Sequence, residues 1–361
     1  MVAAFRGICS LYWVEWQFFN LKLTFYFNSL SFGLVLFLVT ARVLVFCSYY
    51  IEGEINIIYF IVVLLVFVSR MFFLNFRANR FSILLRWDTL GASRFFLVLF
   101  YNNWERCRGA INTVLTNRVG DYFLFLFFAL VYFSSHRFSF VGQFNLLVVV
   151  LLVLAGFTKS AQFPFRGWLP KAMRAPTPVS ALVHSRTLVT AGLILVLNFR
   201  GLLLEGRISI LVLAIGLLTM LFSRVAALVE EDMKKVVALR TLSQMGFAAL
   251  TIGLGLRFIS LLHLLSHALF KRCLFIQVGF MIHCSYGQQD GRNYFNLSNL
   301  PHYIQLQMLV TLFCLCGLIF RRGAVTKEYI LGAFFFNFKG VLLAAVFLAG
   351  VFLTFGYRYR L

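Results

Sequence analysis

The chain of 361 residues is 61% hydrophobic and 18% aromatic with only 12% charged residues, far outside what a soluble domain needs for its core. Its formal net charge of +21, from 33 basic against 12 acidic residues, would suggest nucleic acid in a soluble protein. Here the arginines and lysines are dispersed through and between apolar runs, with no basic face interleaved with aromatics. A nucleic-acid partner is therefore excluded, and helix ends meeting anionic lipid headgroups such as cardiolipin are expected instead.

Residues 1–23, with Glu15 among aromatics, read as a short interfacial segment and not as a cleavable signal. From residue 24 onward apolar runs of 18 or more residues recur, the length a helix needs to cross roughly 30 Å of hydrocarbon at about 1.5 Å per residue. About eleven spans are expected, near 24–49, 55–76, 81–101, 111–133, 143–165, 178–199, 208–229, 236–256, 258–283, 303–320 and 331–357. The fold class is an all-α polytopic membrane protein, with one helical domain over 24–330 and a final span with a short tail over 331–361.

The longest polar stretch, residues 284–301, is too short to fold alone, so function must lie within the spans. No G-x-G-x-x-G follows a strand, no P-loop is present, and the seven cysteines fall at no metal-ligand or iron–sulfur spacing. No cofactor or metal is expected on this chain.

What remains is the set of ionisable groups at membrane depth, which are expensive there and functional by default. Most acids fall in or beside connections, but Asp88 and Asp121 lie about eight and ten residues into their spans. An unpaired carboxylate at that depth costs on the order of 2.5–3.5 kcal/mol, so each is expected to be protonated or to face a cation or cavity water. Lys159 is the natural partner. It precedes Pro164, which has no amide hydrogen to bond back to Ser160 and whose ring crowds that turn, so the helix is expected to break near Lys159. Broken helices are tolerated at this depth only where they line a covered or wet cavity, although position alone equally allows a span-end lysine that snorkels to the interface.

The following span opens on Pro176 and Pro178, and His184 lies about six residues in. A single buried histidine is more often a satisfied core residue than a proton carrier. In "SLLHLLSHALFKR", however, Ser260, His263, His267 and Lys271 are spaced 3, 4 and 4 and line one helix face. A zinc site there lacks both the glutamate of H-E-x-x-H and a third ligand, so a proton-bearing stripe is the preferred reading.

These residues also carry a resemblance. The run "TKSAQFPFRGWLPKAMRAPTPVSALVHSRTLVTAG", with "LLRWDTLG" and "TNRVGD" upstream and "EEDMKKVVALRTLSQMGF", "LLHLLSHALFKRCLFIQVGFMIH", "QQDGRN" and a weaker "TKEYI" downstream, resembles the antiporter-like membrane subunits of respiratory complex I. Within them, "AMRAPTPVSALVH" favours the subunit-five family of mitochondrial NADH dehydrogenase over subunits two and four. The similarity covers about residues 24–330.

The resemblance implies two inverted five-helix repeats, each with a broken helix, and proton translocation coupled to quinone reduction elsewhere in a complex of the mitochondrial inner membrane. FMN, iron–sulfur clusters and ubiquinone belong to other subunits. It implies a relay in which Asp88 is the acid paired with Lys159, His184 is the neighbour of that lysine, Asp121 is the acid after "NRVG", His263, His267 and Lys271 form the centre, and Lys327 with Glu328 belongs to the second broken helix. The partners implied are other membrane-arm subunits, above all the neighbouring antiporter-like one, and, because the family is usually longer, a separate C-terminal fragment. Two alternatives stand beside this reading: a stand-alone cation/proton antiporter subunit, and a truncated scaffold. The sequence departs from the family at Arg86, Arg166, Arg174, Arg186 and Arg240, where small residues are usual.

Overall fold

A computed structural model describes residues 9–16, 19–76, 80–101, 103–135, 146–182, 188–199, 206–294, 301–317, 322–337 and 341–359. Two strands, β1 (Cys9–Trp16) and β2 (Phe19–Phe25), pair antiparallel with an irregularity between Tyr12 and Glu15. Alternation of apolar with polar residues in "FNLKLTF" suits the two-residue period of a strand, so the N-terminal segment adds a hairpin to the otherwise helical fold.

The helices follow in chain order. The first four are α1 (Phe27–Tyr50), α2 (Ile57–Asn75), α3 (Arg80–Val98) and α4 (Trp104–Ser135). A first interrupted stretch comprises α5 (Leu146–Ser160), α6 (Trp168–Ala172), the single turn α7 (Thr177–Val179) and α8 (Leu188–Asn198). Then come the long helices α9 (Gly206–Val229), α10 (Met233–Gly253) and α11 (Arg257–Cys284). A second interrupted stretch, α12 (His302–Cys316) and α13 (Arg322–Asn337), precedes α14 (Val341–Tyr359).

Among the described residues six helices, not eleven, are long and apolar enough to cross a membrane: α1, α2, α4, α9, α10 and α11. The shortfall has physical causes. The expected spans 143–165 and 303–320 hold only short apolar helices among the described residues, because the chain leaves the helix after Ser160 and after Cys316; the expected span 178–199 includes residues 183–187, which lie outside the described residues. The expected span 81–101 is a helix of full length, but Arg86, Asp88 and Arg94 interrupt its apolar surface. The expected span 331–357 covers the end of α13 and most of α14, with residues 338–340 between them outside the described residues.

At the centre lies α10, with 94% of its span buried against 28% for α2, which stands at the periphery. Burial of that kind fits its sequence: Arg240, Thr241, Ser243 and Gln244 are polar, and in hydrocarbon only neighbouring protein can satisfy them. Packing around it depends on small residues. A Cβ at Gly192 of α8 would lie 2.2 Å from Gly156 O and 2.9 Å from Ser160 N, so α5 and α8 touch backbone to backbone at the first break.

Candidate functional site

The first break forms as the proline requires. Helix α5 ends at Ser160; Ala161 takes a left-handed φ of 54°, and the Gln162 amide bonds back to Phe157 O at 3.0 Å. This is the Schellman closure, reached here without the usual glycine. A left-handed alanine costs on the order of 1–2 kcal/mol, and the surrounding structure offsets it. Trp168 Nε1 donates to Thr158 O at 2.9 Å, and Thr219 Oγ1 of α9 donates to Gln162 Oε1 at 2.6 Å, so side chains from both flanks hold the ends of the break.

Lys159, in the last turn of α5, is fully buried. Its Nζ donates to Trp87 O at 2.6 Å, lies 3.9 Å from the Trp87 ring centroid and sits 3.7 Å from Asp121 Oδ1. The snorkelling alternative is thereby removed: the amine points into the protein. At 3.7 Å the Lys159–Asp121 contact is an ion pair and not a hydrogen bond, and Asp121 Oδ1 has no hydrogen-bond partner among the described residues.

The carboxylate in direct contact with Lys159 is that of Asp121, and Asp88, the acid the resemblance implies, acts on the amine from farther out. Asp88 is bound by Arg118 at 2.5 Å, and Arg118 in turn reaches Asp121 at 3.9 Å. Asp88 and Arg118 are 43% and 57% exposed, whereas Asp121 is 7% exposed and Lys159 not at all. The four groups form one chain of alternating sign, Lys159, Asp121, Arg118, Asp88, from the interior outward. Trp87, the residue before Asp88, fills the place beside the lysine. Arg118 was not among the residues singled out, although its position three before Asp121 within "TNRVGD" was a usable signal.

The face expected on α11 is present. Ser260, His263, His267 and Lys271 are all buried, and the rings of His263 and His267 lie 6.2 Å apart with planes inclined at 20°. Lys271 Nζ donates to Val237 O of α10 at 2.6 Å. His263 bridges two elements, with Nε2 3.2 Å from Gln244 Oε1 on α10 and Nδ1 3.4 Å from Thr326 Oγ1 on α13. His267 has no hydrogen-bond partner on either nitrogen among the described residues.

At the second break Gly317, with a left-handed φ of 71°, caps α12. Lys327, on α13, donates to Leu315 O at 2.5 Å and Cys316 O at 2.9 Å, satisfying carbonyls the helix end leaves open. Glu328 is exposed and turned to the outer surface. His184 and Arg186 lie outside the described residues. Among the other unusual arginines, Arg174 pairs with Glu105 at 3.0 Å, Arg166 lies 5.0 Å from the Phe222 ring, Arg86 donates to Phe73 O, and Arg240 is buried. Arg94, also fully buried, stacks 4.1 Å over Trp168 while its three guanidinium nitrogens make no hydrogen bond among the described residues.

A multi-pass helical bundle with two interrupted helices, a buried lysine beside a carboxylate at one break and a histidine–lysine stripe through its centre defines an antiporter-like membrane protein. Residues 78–354 match the family described as NADH:quinone oxidoreductase/Mrp antiporter, TM, and the chain belongs to that family. It is 62% identical to NADH-ubiquinone oxidoreductase chain 5 of Ascaris suum over 98% of its length and 64% of the relative's. Identity to the chain of the same description from Caenorhabditis elegans is also 62%, over 98% of this chain and 67% of that one. The chain thus spans about two thirds of the length of these relatives. A chain of the Mrp complex from a Dietzia species is 26% identical, with a TM-score of 0.83 over 98% of this chain and 41% of that chain. A chain of an archaeal membrane-bound sulfane sulfur reductase, 20% identical with a TM-score of 0.86 over 97% of this chain and 75% of that chain, shares the fold.

Proposed function

We propose that this chain is a membrane-arm subunit of a proton-translocating NADH:ubiquinone oxidoreductase, and that it conducts protons while electrons travel through FMN, iron–sulfur clusters and ubiquinone on other subunits. The observation that carries the reading is Lys159: fully buried, at a helix break, 3.7 Å from a carboxylate whose near oxygen has no hydrogen-bond partner among the described residues. A lysine so placed changes its charge at a large electrostatic consequence for Asp121, and that difference is what a proton carrier uses. Asp121, Arg118 and Asp88 connect it toward the outer surface, and Lys271, His267 and His263 form the inner segment, with Lys327 beyond the second break. His184 remains assigned to the relay by resemblance. Its partners are other membrane-arm subunits, with cardiolipin-type lipids at the helix ends, in the mitochondrial inner membrane.

The test is Lys159→Met in membranes, following NADH-driven proton uptake alongside NADH oxidation, with assembly checked on native gels. Loss of uptake in an assembled complex supports the pump reading; intact uptake sinks it and favours a scaffold. The likeness to a chain of an Mrp complex motivates a second reading, a stand-alone cation/proton antiporter subunit. It requires exchange driven by a sodium gradient in the absence of NADH.

A further inference from the structure

The two buried histidines of α11 differ in a way the relay reading does not require. His267 meets no hydrogen-bond partner among the described residues, whereas His263 is held on both ring nitrogens. The oxygen of Gln244 can only accept, so Nε2 of His263 carries a proton and, in the neutral ring, Nδ1 is the lone-pair acceptor. Thr326 Oγ1 lies 3.4 Å from Nδ1 and also 3.4 Å from Gly323 O. Its single hydroxyl hydrogen therefore has two seats. With neutral His263 it points to Nδ1. When Nδ1 takes a proton, that N–H donates to the hydroxyl oxygen, and the hydroxyl hydrogen turns to Gly323 O. Neither state leaves a buried ring nitrogen or the hydroxyl unmatched, and an orphaned buried donor costs about 1–3 kcal/mol.

We propose that Gln244 and Thr326 are positioning residues that keep both ring nitrogens of His263 matched whether the ring is neutral or protonated, with the Thr326 hydroxyl reporting that state to the first turn of α13. The proposal rests on the reading of this chain as a proton conductor. Lys327, next to Thr326 on α13, makes the connection useful: the hydroxyl that turns with His263 belongs to the helix that carries the second lysine. The charged and titratable groups acting on His263 and His267 are Lys327 from α13, Arg240 from α10 and Lys271 from α11, and Phe247 of α10 closes a ring edge against His263.

The experiment uses the assembled complex in membranes and measures protons taken up per NADH oxidised as a function of pH. Thr326→Val keeps the shape of threonine and removes the rotor; Thr326→Ser keeps the rotor. Gln244→Leu removes the acceptor, and Gln244→Glu keeps one. The expected result is a roughly tenfold loss of uptake and a displaced pH profile for Thr326→Val and Gln244→Leu, with Thr326→Ser retaining most of both and Gln244→Glu retaining uptake while its carboxylate moves the profile to higher pH. Wild-type uptake and an unmoved pH profile in Thr326→Val and Gln244→Leu would overturn the proposal, as would equal loss in the conservative pair. Lys159→Met in the same membranes separates the two levels: if it pumps normally, the conductor reading itself fails; if it is silent while Thr326→Val and Gln244→Leu behave as wild type, this assignment alone fails.

Discussion

The two breaks use a lysine in opposite ways. At the first, Lys159 belongs to the helix upstream of the gap, and the gap is closed by other groups: Trp168 on Thr158 O, Thr219 on Gln162, and a Schellman bond from Gln162 to Phe157 O. At the second, Lys327 belongs to the helix downstream and is itself the closure, donating to the last carbonyls of α12. A lysine that closes nothing can lose its proton without opening the fold around it. One that caps a helix end couples its proton to the geometry of the break, because a neutral amine is the weaker donor to those carbonyls. The difference teaches that two similar-looking lysines suit different duties: under the proposed function the first would be a carrier and the second a latch.

The largest expected effect follows from the carrier. Lys159→Met lowers NADH-driven proton uptake by more than about tenfold, equivalent to more than about 1.4 kcal/mol on the limiting barrier, while Arg118, 3.9 Å from Asp121, still offsets that carboxylate and the complex assembles. Asp121→Asn should come next, since it leaves a fully buried ammonium without its ion-pair partner. A smaller loss of uptake is expected, together with poorer assembly on native gels, and Asp88→Asn should fall well short of it because Asp88 is half-exposed and bound to Arg118. Equal effects of Asp88→Asn and Asp121→Asn would break the ordering of the chain of charges.

The latch is probed by Gly317→Ala. Its Cβ would lie 2.9 Å from Lys327 Cδ in a left-handed conformation, so about 1–2 kcal/mol of stability is lost and the lysine is displaced. Thermal unfolding of the complex and uptake should both fall; an unchanged melt would show that Lys327 does not hold α12. The smallest effect is expected at Arg94→Ser. Removing a buried guanidinium that makes no hydrogen bond among the described residues should raise stability by about 1 kcal/mol after the loss of its stacking on Trp168, measured as a higher melting temperature.

Much of this was legible in the residues. Pro164 placed the first break within a few residues of its end at Ser160, and the 3, 4, 4 spacing of Ser260, His263, His267 and Lys271 put them on one face whatever the helix packed against. Local chemistry decides both. Which acid meets Lys159 was not legible, because it depends on how α3 and α4 are turned around α5, and both carry an aspartate at similar depth. Gln244 and Thr326 gave no signal either: a lone polar residue in a span gains meaning only from its neighbour across the helix interface.

The contact of Gly156 with Gly192 bears on what kind of machine the first break can be. Where two helix backbones already touch, there is no room for one to slide over the other, and the last turn of α5 is pinned at Ser160 N by the same glycine. The break is therefore a bracket and not a hinge. Its moving parts are confined to amine and carboxylate torsions and the protons they carry, which rearrange far faster than helices do, so under the proposed function the rate of proton transfer at Lys159 should be limited by charge and not by the sway of the bundle.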